Sequence, residues 1–183
     1  MRQAFTLFEI IVVMALLVVV AALVYPSLES GYGYYKVRGA ADTVRGALAE
    51  ARTRAMEEGR PYRFAVVWGK GNFRIAPEGA EFWAGSDAAP TQSSDGEPPL
   101  IVSDALRPPI RFRRTDGSRG DADADTVLPA DAIDPSQWSP VATLLPDGTA
   151  REDVEVTLEV DGARPVLVKL RALTGGVSAR PLE

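Results

Sequence analysis

The chain has 183 residues, 46% of them hydrophobic and 25% charged, with no cysteine, no histidine and a formal net charge of −5. That is the composition of a folded chain with room for one domain and an extra helix. The missing residue types exclude Cys/His zinc sites, thiol nucleophiles and Ser-His-Asp triads, while leaving the redox compartment open. Charge is uneven: nine basic and five acidic residues lie between Glu29 and Arg74, against ten and nineteen from Ile75 to Glu183. An acidic globular part argues against nucleic acid as a partner, because such binding must neutralise phosphates.

The first predicted element is apolar. Ile10 to Val24 contains no polar side chain, and Phe5, Leu7 and Phe8 extend the segment to about 20 residues. At about 1.5 Å per residue, a helix of that length spans a hydrocarbon core of roughly 30 Å. Arg2 and the terminal amine lie on one side of it, which the positive-inside tendency assigns to the cytoplasm. The remainder would then face the periplasm or exterior. Three ordinary readings compete. A cleaved secretory signal requires small residues where the run instead ends in Val24-Tyr25-Pro26-Ser27-Leu28. A plain signal anchor leaves Glu9 unexplained, and a buried core helix fits neither the length nor the position. A carboxylate at mid-bilayer costs on the order of 2.5–3.5 kcal/mol, so something must offset Glu9.

Ala4-Phe5-Thr6-Leu7-Phe8-Glu9 resembles the prepilin motif of the type IV pilin-like superfamily. There a short basic leader precedes a cleavage site, Phe-Thr-Leu-x-Glu and a long apolar helix. The resemblance implies that a membrane-embedded prepilin peptidase cuts between Ala4 and Phe5 and methylates the new Phe5 amine. The family usually carries glycine before the cut, and Ala4 is the next smallest residue. It further implies that Glu9 pairs with the terminal amine of a neighbouring subunit. An ion pair in an apolar bundle is favourable only when matched, so it penalises wrong axial stagger.

Pro26 removes a hydrogen bond to the Ala22 carbonyl and predicts a kink. Gly31 and Gly33 favour a helix break nearby, and Tyr32, Tyr34 and Tyr35 suit a membrane–water boundary. An amphipathic helix follows, with Val37, Ala41, Val44, Leu48, Ala51 and Ala55 on one narrow apolar stripe. Packing on a sheet explains its small residues, with a coiled-coil partner face as the alternative. Gly59 and Pro61 end it. The predicted organisation is a leader at 1–4, a transmembrane and filament-core helix at 5–28, an amphipathic helix at 29–59 and a periplasmic β domain at 60–183.

Strand patterns then dominate. Pro61 to Trp68, a turn at Gly69-Lys70-Gly71-Asn72 and Phe73 to Ala76 read as a hairpin. Mobile loops are predicted near 84–99 and 117–135, the second with little core potential. Leu100 to Leu106, Ile110 to Arg114, Val141 to Leu145, Val154 to Val160 and Val166 to Leu173 complete the β set. Strict alternation from Val154 to Val160 predicts one buried and one wet face.

Val44 to Phe64 resembles the segment that GspH/FimT-type minor pseudopilins carry after their membrane helix, an Ala-Arg pair running into a Gly-Arg-Pro turn and a strand. Leu145-Pro146-Asp147-Gly148 and Leu173-Thr174-Gly175-Gly176-Val177 resemble the tail of the same family. Both ends of the chain are covered, and the middle, about Ala84 to Pro140, is not. The implied fold is α+β: a long N-terminal helix, half transmembrane and half amphipathic, packed on a C-terminal domain of antiparallel sheets. The implied role is a minor pseudopilin of the periplasmic pseudopilus in a type II secretion system, initiating or tipping the filament. Its partners would be major and minor pseudopilins, the prepilin peptidase, the inner-membrane assembly platform, the inner membrane and secreted cargo. A minor pilin of a type IV pilus, for adhesion or DNA uptake, shares every feature used. A single-span periplasmic binding protein that never assembles is a rival of another class.

No other site stands out. Asp121, Asp123 and Asp125, with Asp131 and Asp134 beyond, are a weak Ca²⁺ candidate, because the EF-hand glycine and closing glutamate are absent. A solvated acidic loop explains them as well. Arg111, Arg113 and Arg114 form a basic cluster beside Phe112, and Lys169, Arg171 and Arg180 lie near the end. FimT-like proteins can bind DNA there, but Gly176 stands where an arginine is common. No spacing singles out a carboxylate pair for acid–base work, so neither a catalytic residue nor a cofactor is predicted.

Overall fold

The structure, a computed structural model, describes residues 7–83, 99–114, 128–129 and 132–182, with only the helical backbone for 23–32. The predicted leader and most of both predicted loops lie outside the described residues. The first element, α1, runs as one helix over Leu7–Glu58. The break predicted around Gly31 and Gly33 is absent, and the backbone stays helical through Pro26. Gly33 has another use. A Cβ placed there would lie 2.8 Å from the Cβ of Ala163, so its missing side chain lets a β-hairpin approach the helix closely. A glycine inside a helix costs only about 1 kcal/mol, which such packing can offset. The helix stops at Gly59, whose φ of 65° is the left-handed conformation that closes a helix without strain.

Among the described residues eight strands follow: β1 Tyr62–Val66, β2 Asn72–Pro77, β3 Val102–Ala105, β4 Arg111–Arg113, β5 Ser139–Leu144, β6 Val154–Glu159, β7 Val166–Leu170 and β8 Val177–Pro181. They form two four-stranded sheets, ordered β3-β2-β1-β5 and β4-β6-β7-β8. Every pairing is antiparallel. The fold is therefore α+β, a long N-terminal helix on antiparallel sheets, as expected. β8 was not predicted. It reads Val-Ser-Ala-Arg-Pro, is mostly exposed and lies at a sheet edge, where Pro181 is tolerated.

The predicted helical stripe is buried from Val37 to Ala55, joined by Ala40. It meets Tyr62, Phe64, Ile75, Leu144, Val156, Leu158, Val168 and Leu170 in one core. Three rings join the sheets at its centre. Phe64 and Phe73 come from the first sheet and Phe112 from the second, with centroids 6.0–6.5 Å apart. The β1–β2 turn adds backbone bonds across the same seam. Gly69 donates to the Phe112 carbonyl at 3.0 Å, and Phe112 donates to that of Lys70 at 2.9 Å.

Two expectations need correcting. The outer face of β6 is not simply wet, since Thr157 is buried beside its cross-strand neighbours Arg113 and Leu167. The stretch predicted to have little core potential contributes to a second cluster. There Ile133 and Trp138, with Leu128, pack with Ala65 of β1 and with Val67 just after it. Alternation along a single strand cannot reveal what later chain will fold over its outer face.

Tyr62, wholly buried, donates its hydroxyl to Glu58 Oε1 at 2.8 Å and accepts the Leu100 N–H at 3.1 Å. Burial, then the Glu58 hydrogen bond and charge, push its pKa up to about 12. The protonated phenol is thus favoured more in the folded than in the unfolded state, where its pKa is about 10. Its stabilisation is complete below pH 10 and lost as pH rises through 12. The gap corresponds to about 3 kcal/mol. Denaturation midpoints measured from pH 8 to 12 should fall more steeply for this chain than for Tyr62→Phe; parallel curves would refute the assignment.

Candidate functional site: the N-terminal helix and its anchor in the domain

Two halves of α1 differ in surroundings. From Leu7 to Val20 the described apolar side chains are exposed on all sides, from 48% at Val13 to 79% at Leu7. From Gly33 onward the helix packs against the domain. A helix apolar all round is stable only inside an apolar environment, a bilayer or other helices. Among the described residues no helix is long and apolar enough to cross a membrane. The described apolar side chains end at Ala22, whereas the apolar run of the sequence continues through Leu23 and Val24.

Glu9 lies near the start of the described part of α1, within its apolar half. Ala4 and Phe5, the predicted processing site, lie outside the described residues, as does the side chain of Pro26. Asp121, Asp123, Asp125 and Asp131 also lie outside them. Asp134 acts locally, its Oδ1 accepting Ser136 N at 2.8 Å to cap the short 3-10 helix Pro135–Gln137. Among the described residues no group of three acidic side chains is placed to hold a metal ion.

The three segments singled out as separate motifs meet at one point. Arg52 donates from Nε to the Gly148 carbonyl at 2.7 Å. Gly148 and Gly175 both have positive φ, 80° and 59°. A Cβ on Gly175 would fall on the Gly148 carbonyl oxygen and lie 2.6 Å from Arg52 Nε. Backbone bonds bind the same turns together, from Ala150 N to Ala172 O at 2.8 Å and from Gly175 N to Arg171 O at 2.8 Å. The Ala-Arg pair on the helix and both glycine turns therefore form one anchor, which fixes α1 against both sheets. Sequence spacing hid this, because the partners are about a hundred residues apart.

The basic cluster is mostly neutralised. Arg111 pairs with Glu159 at 2.9 Å and Asp161 at 2.6 Å, and Arg113 with Glu159 at 3.2 Å. Those carboxylates raise the pKa of Arg111 further, against the effect of its burial. Arg114 lies over the Trp68 ring at 5.4 Å, and Lys169 pairs with Glu155 at 2.7 Å. Glu78, gripped chiefly by Arg151 and also by Arg63, is held below the usual carboxylate range. These pairs leave Arg111, Arg113 and Lys169 less available to a phosphate backbone, whereas Arg171 and Arg180 are exposed and in no ion pair among the described residues.

Two solved structures of one protein from Vibrio cholerae are similar to this fold. Both are a minor pseudopilin. One, EpsH of the type 2 secretion system, is 11% identical, with a TM-score of 0.44 over 80% of this chain and 96% of that one. The other, a crystal structure of the same EpsH, is 14% identical, with a TM-score of 0.46 over 81% and 96%. No protein-family model matches the chain, and no curated protein matches it.

Proposed function

We propose that this chain is a minor pseudopilin, a structural subunit that assembles through α1 into the periplasmic pseudopilus of a type II secretion system. The observation that carries the reading is the prepilin-like sequence Phe5-Thr6-Leu7-Phe8-Glu9 together with a helix, α1, whose described apolar side chains from Leu7 to Val20 are exposed all round. Its second half is built into a folded domain through Arg52. In this reading the apolar half resides singly in the inner membrane, N-terminus cytoplasmic and β domain periplasmic. After cleavage between Ala4 and Phe5 and methylation of Phe5, it leaves the bilayer laterally and joins a bundle of neighbouring helices. Helix packing drives that step, and Glu9 sets the stagger by meeting the terminal amine of the adjoining subunit. The domain then decorates the filament and contacts other pseudopilins or cargo. The role is one of assembly, without catalysis.

A minor pilin of a type IV pilus would use the same helix. Its DNA-uptake form is disfavoured by the ion pairs that occupy Arg111, Arg113 and Lys169. Deletion separates the remainder, through lost secretion in one case and lost motility or transformation in the other. N-terminal sequencing of membrane-extracted protein should return N-methyl-phenylalanine at Phe5. Retention of Met1 to Ala4 would instead support a non-assembling anchor. Glu9→Ala should leave membrane insertion intact and reduce assembly at least tenfold, read by cross-linking to neighbouring subunits. Undiminished cross-linking would remove the registration role.

A further inference from the structure

The end of the domain nearest the apolar half of α1 is basic. It is built from three separate pieces of chain around helix positions 33–38. Ala163, at the β6–β7 turn, lies against Gly33, and Arg164 follows it. The segment after β3 faces the helix across a groove of about 750 Å³, lined by Tyr35, Lys36, Gly39, Asp104, Arg107 and Pro108. Arg38 lies less than a turn beyond Tyr35. Arg38, Arg107 and Arg164 are all exposed, and among the described residues none of the three is in an ion pair. This contrasts with the arginines elsewhere on the domain, most of which have carboxylate or aromatic partners. Tyr35, 71% exposed, places a ring among them.

The acidic groups at this end are largely engaged. Asp161 pairs with Arg111 at 2.6 Å, and Asp42 with Arg45 at 3.5 Å. Asp104, which lines the groove and accepts only the N–H of Ala105 at 2.7 Å, keeps its charge and offsets one of the bases. An excess of positive charge thus occupies one end of a chain whose net charge is −5.

Helix geometry sets the height of this end. Gly33 is about nine residues beyond Val24, where the apolar run stops, which is roughly 14 Å along a helix. The headgroup layer takes up roughly 6 Å of that on each side of the hydrocarbon. The backbone at position 33, beside Arg164, therefore stands about one Debye length, ~8 Å at physiological salt, above the headgroup layer, and that at Arg38 about 15 Å above it, with a long side chain to reach down. A tilt of the helix brings one side closer still.

We propose that Arg38, Arg107 and Arg164, with Tyr35 between them, form a collar that holds the domain down on anionic phospholipid headgroups before assembly. The collar rests on the membrane reading of α1 given above. Each basic residue close to an anionic surface strengthens adhesion about fivefold, so three acting together suffice for a salt-sensitive, releasable contact. Release is what a subunit needs if it must later rise out of the bilayer.

The test uses the full chain in nanodiscs of phosphatidylcholine alone or with about a third phosphatidylglycerol. Hydrogen exchange is followed in peptides covering 104–108 and 161–165. With phosphatidylglycerol, exchange in both should slow at least fivefold, and 0.5 M salt should restore it. The triple variant Arg38→Glu, Arg107→Glu, Arg164→Glu should show no difference between the two lipids. Equal exchange in both lipids, with the chain retained in the discs, would overturn the collar and leave the membrane reading standing. Failure of the chain to enter discs of either composition would overturn both.

Discussion

Phe112→Ala is expected to destabilise the domain by about 3–5 kcal/mol, the range for removing a fully buried aromatic side chain. The residue has no exposed surface, and its ring meets those of Phe64 and Phe73 edge-on at 6.5 Å. It is the central residue of β4, which has only three residues, so the lost contacts are concentrated in the shortest strand of its sheet. The cavity would open on the seam where the sheets meet, and backbone bonds from Phe112 to Gly69 and Lys70 restrain its collapse. Urea midpoints for the chain, Phe112→Ala and Phe112→Leu provide the measurement. Leucine refills part of the volume and should recover at least half the loss. A loss below about 1 kcal/mol for alanine would mean that the rings do not join the sheets as described.

Gly175→Ala should cost about 3 kcal/mol or more, from two separable sources. A residue with a Cβ at φ 59° carries a left-handed penalty of roughly 1–2 kcal/mol. Its methyl group would also displace the Gly148 carbonyl and Arg52, breaking a 2.7 Å charge-assisted hydrogen bond worth about 1.5–3 kcal/mol. Gly162 separates the two effects. Its φ is 78°, yet a Cβ there would have no atom within 4 Å, so Gly162→Ala should show the conformational penalty alone. The two midpoints should therefore differ by about 2 kcal/mol. Equal losses would show that Arg52 is not held by these turns. The same comparison tests whether α1 is anchored at this point, since loosening it should also raise hydrogen exchange in the helix near Ala51 and Ala55.

Much of this arrangement is local physics and was legible residue by residue. The stripe from Val37 to Ala55 has a period set by the helix itself, so its buried face could be named in advance. Of the eight strands among the described residues, seven carry enough β-branched or aromatic residues to be recognised near their observed bounds, whereas Val177 to Pro181 does not. Apolar character at the N-terminus, with a single acid inside it, is likewise a property of consecutive residues. Gly33 was misjudged, because a helix-breaking tendency of about 1 kcal/mol is visible in sequence while the hairpin that offsets it is not.

What only the tertiary structure decided is which distant groups meet. The pairing of Arg111 and Arg113 with Glu159 and Asp161 offset most of an expected basic cluster, and Arg52 drew two glycine turns into a single anchor. Periodicity is dictated by bonds a few atoms away, whereas a salt bridge or a close backbone approach depends on how separate elements stack. The sequence by itself thus specified an amphipathic helix, a run of strands and an apolar N-terminus. Packing of the two sheets on that helix determined the charge left on the surface and the direction in which it faces.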